Sequence, residues 1–232
     1  MSVAFGFDFD HTLGVDNGLE RTGLVEYAAE LGRPLDVQRD PEWIARLDAL
    51  LTEFRNGRIA RAEMLARFAA AIGAPPDALD GERWKAICIA LVDRLVRPVD
   101  GAHDLLASLV DRGIPVAILT NGWTPLQQRK IARALPGFDD ALPILVSDVV
   151  GASKPAAAAF EALVGALGVP RDAVWYVGDN PRTDVAGALG AGLRAVWFDW
   201  EGHPYPGDVP PPTLRIAALR ELEDAAENTI AP

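Results

Sequence analysis

Phe7-Asp8-Phe9-Asp10-His11-Thr12-Leu13 closes the first apolar run of the chain, Val3–Phe9. The run is short, apolar and aromatic, and it stops at a polar cluster, Asp10-His11-Thr12. That is the pattern of a buried strand running into a loop. Side chains two apart on a strand share a face, so Asp8 and Asp10 point toward one pocket while the backbone stays extended. Two carboxylates that close disfavour each other's ionisation, and a metal ion or a shared proton relieves the repulsion. Read alone, the segment also fits two surface acids capping the following turn.

Working outward, the same pattern recurs four times. Pro115–Leu119 ends at Thr120-Asn121-Gly122, Ile144–Val146 at Ser147-Asp148, Ala173–Val177 at Gly178-Asp179-Asn180, and Arg194–Phe198 near Asp199. Short apolar runs, each followed by a polar turn and a helical pattern, predict an α/β fold with a parallel sheet covered on both faces. Ligands of such open sheets bind at the carboxyl ends of the strands. The polar residues stand there. Thr120-Asn121-Gly122 offers a hydroxyl and backbone amides, and Ser153-Lys154-Pro155 puts a lysine at the predicted start of a helix. Tyr176-Val177-Gly178-Asp179-Asn180-Pro181-Arg182-Thr183-Asp184 adds two more acids. Each segment is weak alone; in this order and at strand ends they form a specific signal.

Between the first two strands, roughly residues 14–97 show no strand signal and four helical stretches. Leu19–Leu31 ends at Gly32 before Pro34, and Pro41–Phe54 ends at Asn56-Gly57. Arg58–Ile72 ends at Gly73 before Pro75-Pro76, and Glu82–Val96 ends before Pro98. Glycine, Asn-Gly and proline are helix stops. The predicted organisation is an α/β core over residues 1–14 and 98–232 with a helical insertion over residues 15–97. Ala102–Asp111 is a predicted core helix. The Pro- and Gly-rich Gly202–Pro212 segment reads as a surface loop before a last amphipathic helix, Leu214–Ala226.

The chain has 232 residues, half of them hydrophobic, and 33 acidic against 22 basic side chains, a net charge of −11. That balance argues against nucleic acid or an anionic membrane as a partner. The charge is uneven: residues 15–97 carry 14 acidic and 12 basic groups, a net of −2, and the remainder carries −9. The single cysteine, Cys88, excludes an internal disulfide and a cysteine-based zinc cluster, and its apolar surroundings read as a buried thiol. No run approaches the ~18 apolar residues of a membrane span, and the N-terminus lacks the basic region of a signal peptide. The expected setting is cytoplasmic.

Taken together, the segments Asp8-Phe9-Asp10-His11-Thr12, Thr120-Asn121, Lys154 and Gly178–Asp184 resemble the four motifs of the haloacid dehalogenase-like (HAD) superfamily of aspartate-nucleophile hydrolases. The resemblance spans about residues 3 to 200. It implies a doubly wound, Rossmann-like core, with the insertion as a helical cap of the C1 type. It also implies roles: Asp8 as nucleophile, Asp10 as general acid and base, and Thr120, the Asn121 amide and Lys154 as holders of the phosphoryl oxygens. Mg²⁺ would sit among Asp8, the backbone carbonyl of Asp10 and Asp179, with Asp184 as a further ligand or its neighbour; hard oxygen donors suit that ion. Four aspartates and one lysine leave the site at −3, and Mg²⁺ would bring it to −1. One departure is His11, where many members carry glycine.

Within the resemblance, members that cleave carbon–halogen bonds or phosphonates lack the second acid, so Asp10 points to the phosphatase branch. The expected activity is hydrolysis of a small phosphorylated metabolite, with phosphoglycolate, sugar phosphates and mononucleotides as candidates. A phosphomutase of the β-phosphoglucomutase type is the alternative. A receiver-like signalling domain also uses acids, a threonine and a lysine, but it places its phospho-accepting aspartate mid-chain and has no inserted bundle. Arg55 and Arg58 flank the Asn56-Gly57 turn and either reach an anionic substrate group or stay solvated. Trp123 either walls the pocket or packs.

Overall fold

A computed structural model describes residues 3–222. It separates into two compact units, one of Met1–Val15 with Arg97–Pro232 and one of Asp16–Val96. The first holds a six-stranded sheet built from β1 (Ala4–Phe7), β4 (Val116–Thr120), β5 (Ile144–Val146), β6 (Val174–Gly178), β7 (Arg194–Phe198) and β8 (Leu214–Ile216). Their order is β5-β4-β1-β6-β7-β8, and every pairing is parallel. A short antiparallel ribbon, β2 (Gly14–Val15) with β3 (Arg97–Pro98), stands where the chain leaves and re-enters this unit.

The order explains where chemistry can gather. From β1 the chain builds β4 and β5 on one side, then returns to build β6, β7 and β8 on the other, so the direction of winding reverses at β1. Ligands of doubly wound sheets bind at that switch point. Phe7 pairs in register with Ile118 of β4 and Val177 of β6. The residues that follow, Asp8, Leu119-Thr120 and Gly178-Asp179, therefore emerge side by side.

Helices α5 (Ala102–Asp111), α6 (Leu126–Ala134), α7 (Ser147–Val150), α8 (Ala157–Leu167) and α9 (Ala186–Gly190) complete the unit. Phe160 and Leu163 of α8 sink into a cluster with Ala4, Leu119, Val174 and Tyr176 of the sheet. Gly6 permits that approach, because a Cβ there would meet Leu163 Cδ2 at 2.5 Å. The second unit is helical: α1 (Leu19–Glu30), α2 (Pro41–Arg55), α3 (Arg61–Ala71) and α4 (Gly81–Leu95). Asp40 and Asp80 cap α2 and α4 through Glu42 N and Arg83 N, which satisfies amides the helices leave open. Helix α1 packs on α4 around Gly23, whose missing Cβ makes room for the buried Cys88 thiol. Among the described residues no helix is long and apolar enough to cross a membrane.

Three expectations are corrected. Leu214–Ile216 is a strand, not the start of an amphipathic helix; it alternates in burial and pairs with Val196–Phe198 of β7, and helical residues begin only at Arg220. Residues 223–226 of that expected helix lie outside the described residues. Residues 14–15 and 97–98 pair as strands although they showed no strand signal, being too short for any periodicity. Lys154 lies in a loop, since α8 begins at Ala157, and Asn121 Oδ1 holds the Lys154 amide at 2.8 Å instead.

Phe160 is fully buried and meets Tyr176 edge-on, with ring centroids 5.1 Å apart. Phe160→Ala should destabilise this unit by about 3–5 kcal/mol, through lost burial and the cavity left behind. Urea unfolding at constant m-value measures it.

Candidate active site

Asp8 follows β1 and is buried, as are Asp184 and Lys154. The Lys154 ammonium donates to Asp8 Oδ1 at 2.6 Å, Asp184 Oδ1 at 2.7 Å and Tyr176 Oη at 2.8 Å. Tyr176 in turn donates to the Leu119 carbonyl at 2.8 Å, so its hydroxyl oxygen is left to accept. All three lysine donors are thus spent inside the protein. Burial pulls the Lys154 ammonium down, but Asp184, Asp8 and Tyr176 outweigh it and hold it well above its usual value. Burial also raises the Asp8 carboxyl; Lys154 opposes, Asp184 and Asp10 reinforce, and it stands at about 7.

Asp179 and Asp184 are set by the turn after β6. Residues Pro181–Val185 form a single π-helical turn whose start is capped by Asn180 Oδ1, accepting from Arg182 N and Thr183 N. Asp184 Oδ2 accepts from Asn180 N at 3.0 Å, which turns its carboxylate back over the strand end. Gly178 is required there: a Cβ would meet Asp184 Oδ2 at 2.4 Å and its Cβ and Cγ at 2.5 Å. The Asp179 amide is held by Thr12 Oγ1 at 3.1 Å, and its carbonyl by Trp197 Nε1 at 2.9 Å. Burial, then Asp184 and Asp8, push the Asp179 carboxyl up to about 9 against the pull of Lys154.

Asp10 stands apart from that cluster. Its carboxylate meets Lys130 Nζ through Oδ1 and Gln127 Nε2 through Oδ2, the latter at 2.9 Å. Sequence reasoning misses both partners. A signal for them exists: Leu126, Gln127, Lys130, Ile131 and Ala134 form the buried stripe of α6, so an amide and an ammonium occupy positions whose spacing belongs to a core. Counting Lys130, four aspartates and two lysines leave the site at −2 rather than −3.

The remaining candidates divide. Thr120 is buried at the end of β4, with its hydroxyl accepting from Gln127 Nε2 at 2.6 Å. The Asn121 side chain braces the Lys154 backbone from both ends, with Nδ2 donating to the Lys154 carbonyl at 3.0 Å. His11 has a φ of 60°, the left-handed region that glycine enters freely. Trp200 Nε1 donates to its carbonyl at 2.8 Å, and its ring lies 3.3 Å from Glu201. Trp123 is buried. In the helical unit, Arg55 is paired with the buried Glu20 at 2.5 Å, and Arg58 is exposed.

The donor set fits a hard divalent cation. Asp8, Asp179 and Asp184 each offer a carboxylate oxygen, and these atoms lie within 4.8 Å of one another. The carboxyls of Asp8 and Asp179 are raised by burial first and then by their acidic neighbours, and an ion there would cancel the second of these. The Asp10 carboxylate, held on α6, is not part of the set.

A haloacid dehalogenase-like hydrolase model matches residues 4–192, and the chain belongs to that family. Over nearly its whole length it is similar to the pyrimidine 5'-nucleotidase YjjG of Escherichia coli (strain K12), 29% identical with 94% of each chain covered. It is 40% identical to the phosphoserine phosphatase of Thermus thermophilus, a match spanning 52% of this chain and about half, 48%, of that protein. Among solved structures, the HAD-hydrolase YfnB from Bacillus subtilis, described as bound to magnesium, superposes with a TM-score of 0.77 at 21% identity, covering 97% of this chain and 98% of that one. The six-stranded parallel sheet is the core of that fold.

Two outcomes test this geometry without reference to any substrate. Asp8 and Asp179 keep protons in the folded protein where the unfolded chain has lost them, so their contribution to the stability of the metal-free fold is fully present only below a pH of about 4. That stability is lost as pH rises through about 7 for Asp8 and about 9 for Asp179. The melting temperature in chelator should fall steadily between those limits, and Mg²⁺ should raise it most at the alkaline end, where binding displaces few protons. A flat profile in chelator would remove burial and repulsion as causes. Second, Gly178→Ala should weaken Mg²⁺ binding by roughly tenfold or more by displacing Asp184, read as a smaller Mg²⁺-dependent rise in melting temperature.

Proposed function

We propose that the chain is a Mg²⁺-dependent phosphatase that hydrolyses a small phosphate monoester through an aspartyl-phosphate on Asp8. The observation that carries the reading is the division of labour among the acids. Asp8 lies with Asp184 on Lys154, while Asp10 is held separately on Gln127 and Lys130. Two carboxyls of one residue type in different environments can act as nucleophile and as acid–base.

In the first half-reaction the Asp8 carboxylate oxygen attacks phosphorus and the bond to the ester oxygen breaks. That oxygen takes a proton from Asp10, releasing an alcohol and leaving phosphate on Asp8. In the second half-reaction Asp10 takes a proton from water as the water oxygen attacks phosphorus. The bond to Asp8 breaks, and inorganic phosphate leaves. Thr120 and the Asn121 amide hold the phosphoryl oxygens, where the charge of the transition state is spread, and Lys154, its donors engaged by Asp8, Asp184 and Tyr176, acts on them through its positive charge. Mg²⁺, held by Asp8, Asp179 and Asp184 with the backbone carbonyl of Asp10, would supply positive charge against those same oxygens. Choice of substrate we assign to the helical unit, Asp16–Val96, as cap. A nucleoside monophosphate heads the candidates, because two relatives matched along nearly the whole chain are pyrimidine 5'-nucleotidases.

Asp8→Asn should reduce turnover at least a thousandfold, a scale set by removal of the nucleophile. It should also abolish capture of beryllium fluoride, with the fold kept, as read by circular dichroism. A variant that retains near-normal phosphatase activity sinks the assignment. A panel of phosphate monoesters assayed with Mg²⁺, with and without a sugar bisphosphate, separates hydrolysis from mutase chemistry. A uniformly inactive panel counts against both.

A further inference from the structure

Gln127 and Lys130 have no part in the reaction as outlined, yet each is only 2% exposed. Three residues apart on α6, they share a face of the helix. Between them they hold both oxygens of the Asp10 carboxylate, Oδ1 by Lys130 and Oδ2 by Gln127. The same Gln127 amide donates to Thr120 Oγ1 at 2.6 Å and faces the Asn121 carbonyl at 3.3 Å. A hydroxyl that accepts on one side has its proton left to give on another. The acceptor present for that proton, the Asn121 carbonyl, lies at a long 3.4 Å. Gly122 makes the arrangement possible, because a Cβ there would meet Gln127 Cγ at 2.7 Å and Cδ at 2.9 Å. The Lys130 ammonium also lies 5.7 Å from the centre of the ring of Phe9, the residue between the two acids in sequence.

A leucine or methionine would fill the same stripe of α6 without the cost of burying an ammonium. What the polar pair provides instead is a fixed carboxylate and a hydroxyl turned to donate. We propose that Gln127 and Lys130 are positioning residues. They hold the Asp10 carboxylate in the orientation from which it exchanges protons with the leaving oxygen and with water, and Gln127 turns the Thr120 hydroxyl toward the phosphoryl group. The inference rests on the phosphatase reading above. It makes α6 the element that couples the acid–base group to the phosphate-holding group, so that a disturbance at either polar residue is felt through Asp10.

The test uses the full chain with Mg²⁺ and p-nitrophenyl phosphate. Lys130→Met should lower kcat by roughly tenfold to a hundredfold, part of the 10²–10⁴ that a placed acid–base group contributes, with KM changed less than about threefold. The aryl leaving group needs little protonation, so loss of the positioned base should slow the second half-reaction, and acid-quenched phosphoenzyme should accumulate. Lys130→Arg should recover most of kcat. In an Asp10→Asn background, Lys130→Met should change kcat less than about twofold, because its effect runs through the missing carboxylate. A merely structural lysine would cost the same in both backgrounds, and that result, an unchanged kcat, or a change confined to KM overturns the proposal. If Lys130→Met melts at the assay temperature, Gln127→Leu carries the comparison: because Gln127 also acts through Thr120, its loss of kcat should be smaller in the Asp10→Asn background than in the wild type without vanishing, and an equal loss in both backgrounds overturns the proposal. Wild-type protein inactive on this ester and across the monoester panel overturns the phosphatase reading and this proposal together; active wild type with uncoupled variants overturns this proposal alone.

Discussion

One ammonium group organises the centre of the core. Lys154 reaches Asp8 after β1, Tyr176 on β6 and Asp184 in the turn that follows β6, all within 2.8 Å. Burying a lysine is costly, and burying two carboxylates beside it more so, unless every donor and lone pair finds a partner. Here the lysine's three hydrogens are matched by three acceptors. Tyr176 is tied back to β4 through Leu119, and Asp184 is tied back to Asn180. The group therefore pins three neighbouring strands and two loops to one point. Because two acids face one cation, the point remains short of positive charge, and its carboxylate oxygens, with that of Asp179, could hold a metal ion.

A second lysine resolves what the first leaves open. Asp8 and Asp10 leave the same strand two residues apart and carry the same functional group. The sequence alone offers no reason for them to behave differently. The fold separates them by handing Asp8 to Lys154 and Asp10 to α6. Separation of environments is how identical acids acquire distinct tasks. It also requires α6 to stand close to the end of β1, and Gly122, bare of a side chain, lets the Gln127 side chain in.

What the sequence made legible was whatever repeats. Five apolar runs with polar ends mark five of the six strands of the sheet, because burial on both faces imposes unbroken apolar stretches. The acids, Thr120 and Lys154 were visible because strand ends are where an α/β sheet concentrates chemistry. Other features left no such trace. Leu214–Ile216 is three residues long, and its pairing with β7 is a tertiary fact that its own letters do not carry. The ribbon of Gly14–Val15 and Arg97–Pro98 joins residues more than eighty positions apart. Gln127 and Lys130 were hidden differently: on an exposed helix face they would be ordinary, and only the apolar spacing around them marks them as buried. His11 sits between these cases. Its departure from the glycine common in the family was visible, but the left-handed backbone that makes glycine natural there was not.

Net charge looks at first like an argument against an anionic substrate, but the proposed reading is compatible with it. The −11 of the whole chain is a long-range quantity, screened beyond about 10 Å at moderate salt, whereas phosphate would be held by groups in direct contact. In contact range the balance is four aspartates against two buried lysines. A divalent ion brings that to neutrality, and the phosphate dianion then meets oriented donors rather than net repulsion. Burial and then carboxylate repulsion lift Asp8 to about 7; on the proposed reading a bound cation would relieve the repulsion and return Asp8 to the ionised form that a nucleophile needs. On that reading metal recruitment and nucleophile activation would be one electrostatic event, and the two lysines would set its size: with fewer, the site would stay anionic after the metal bound; with more, the carboxylates would have no need of it.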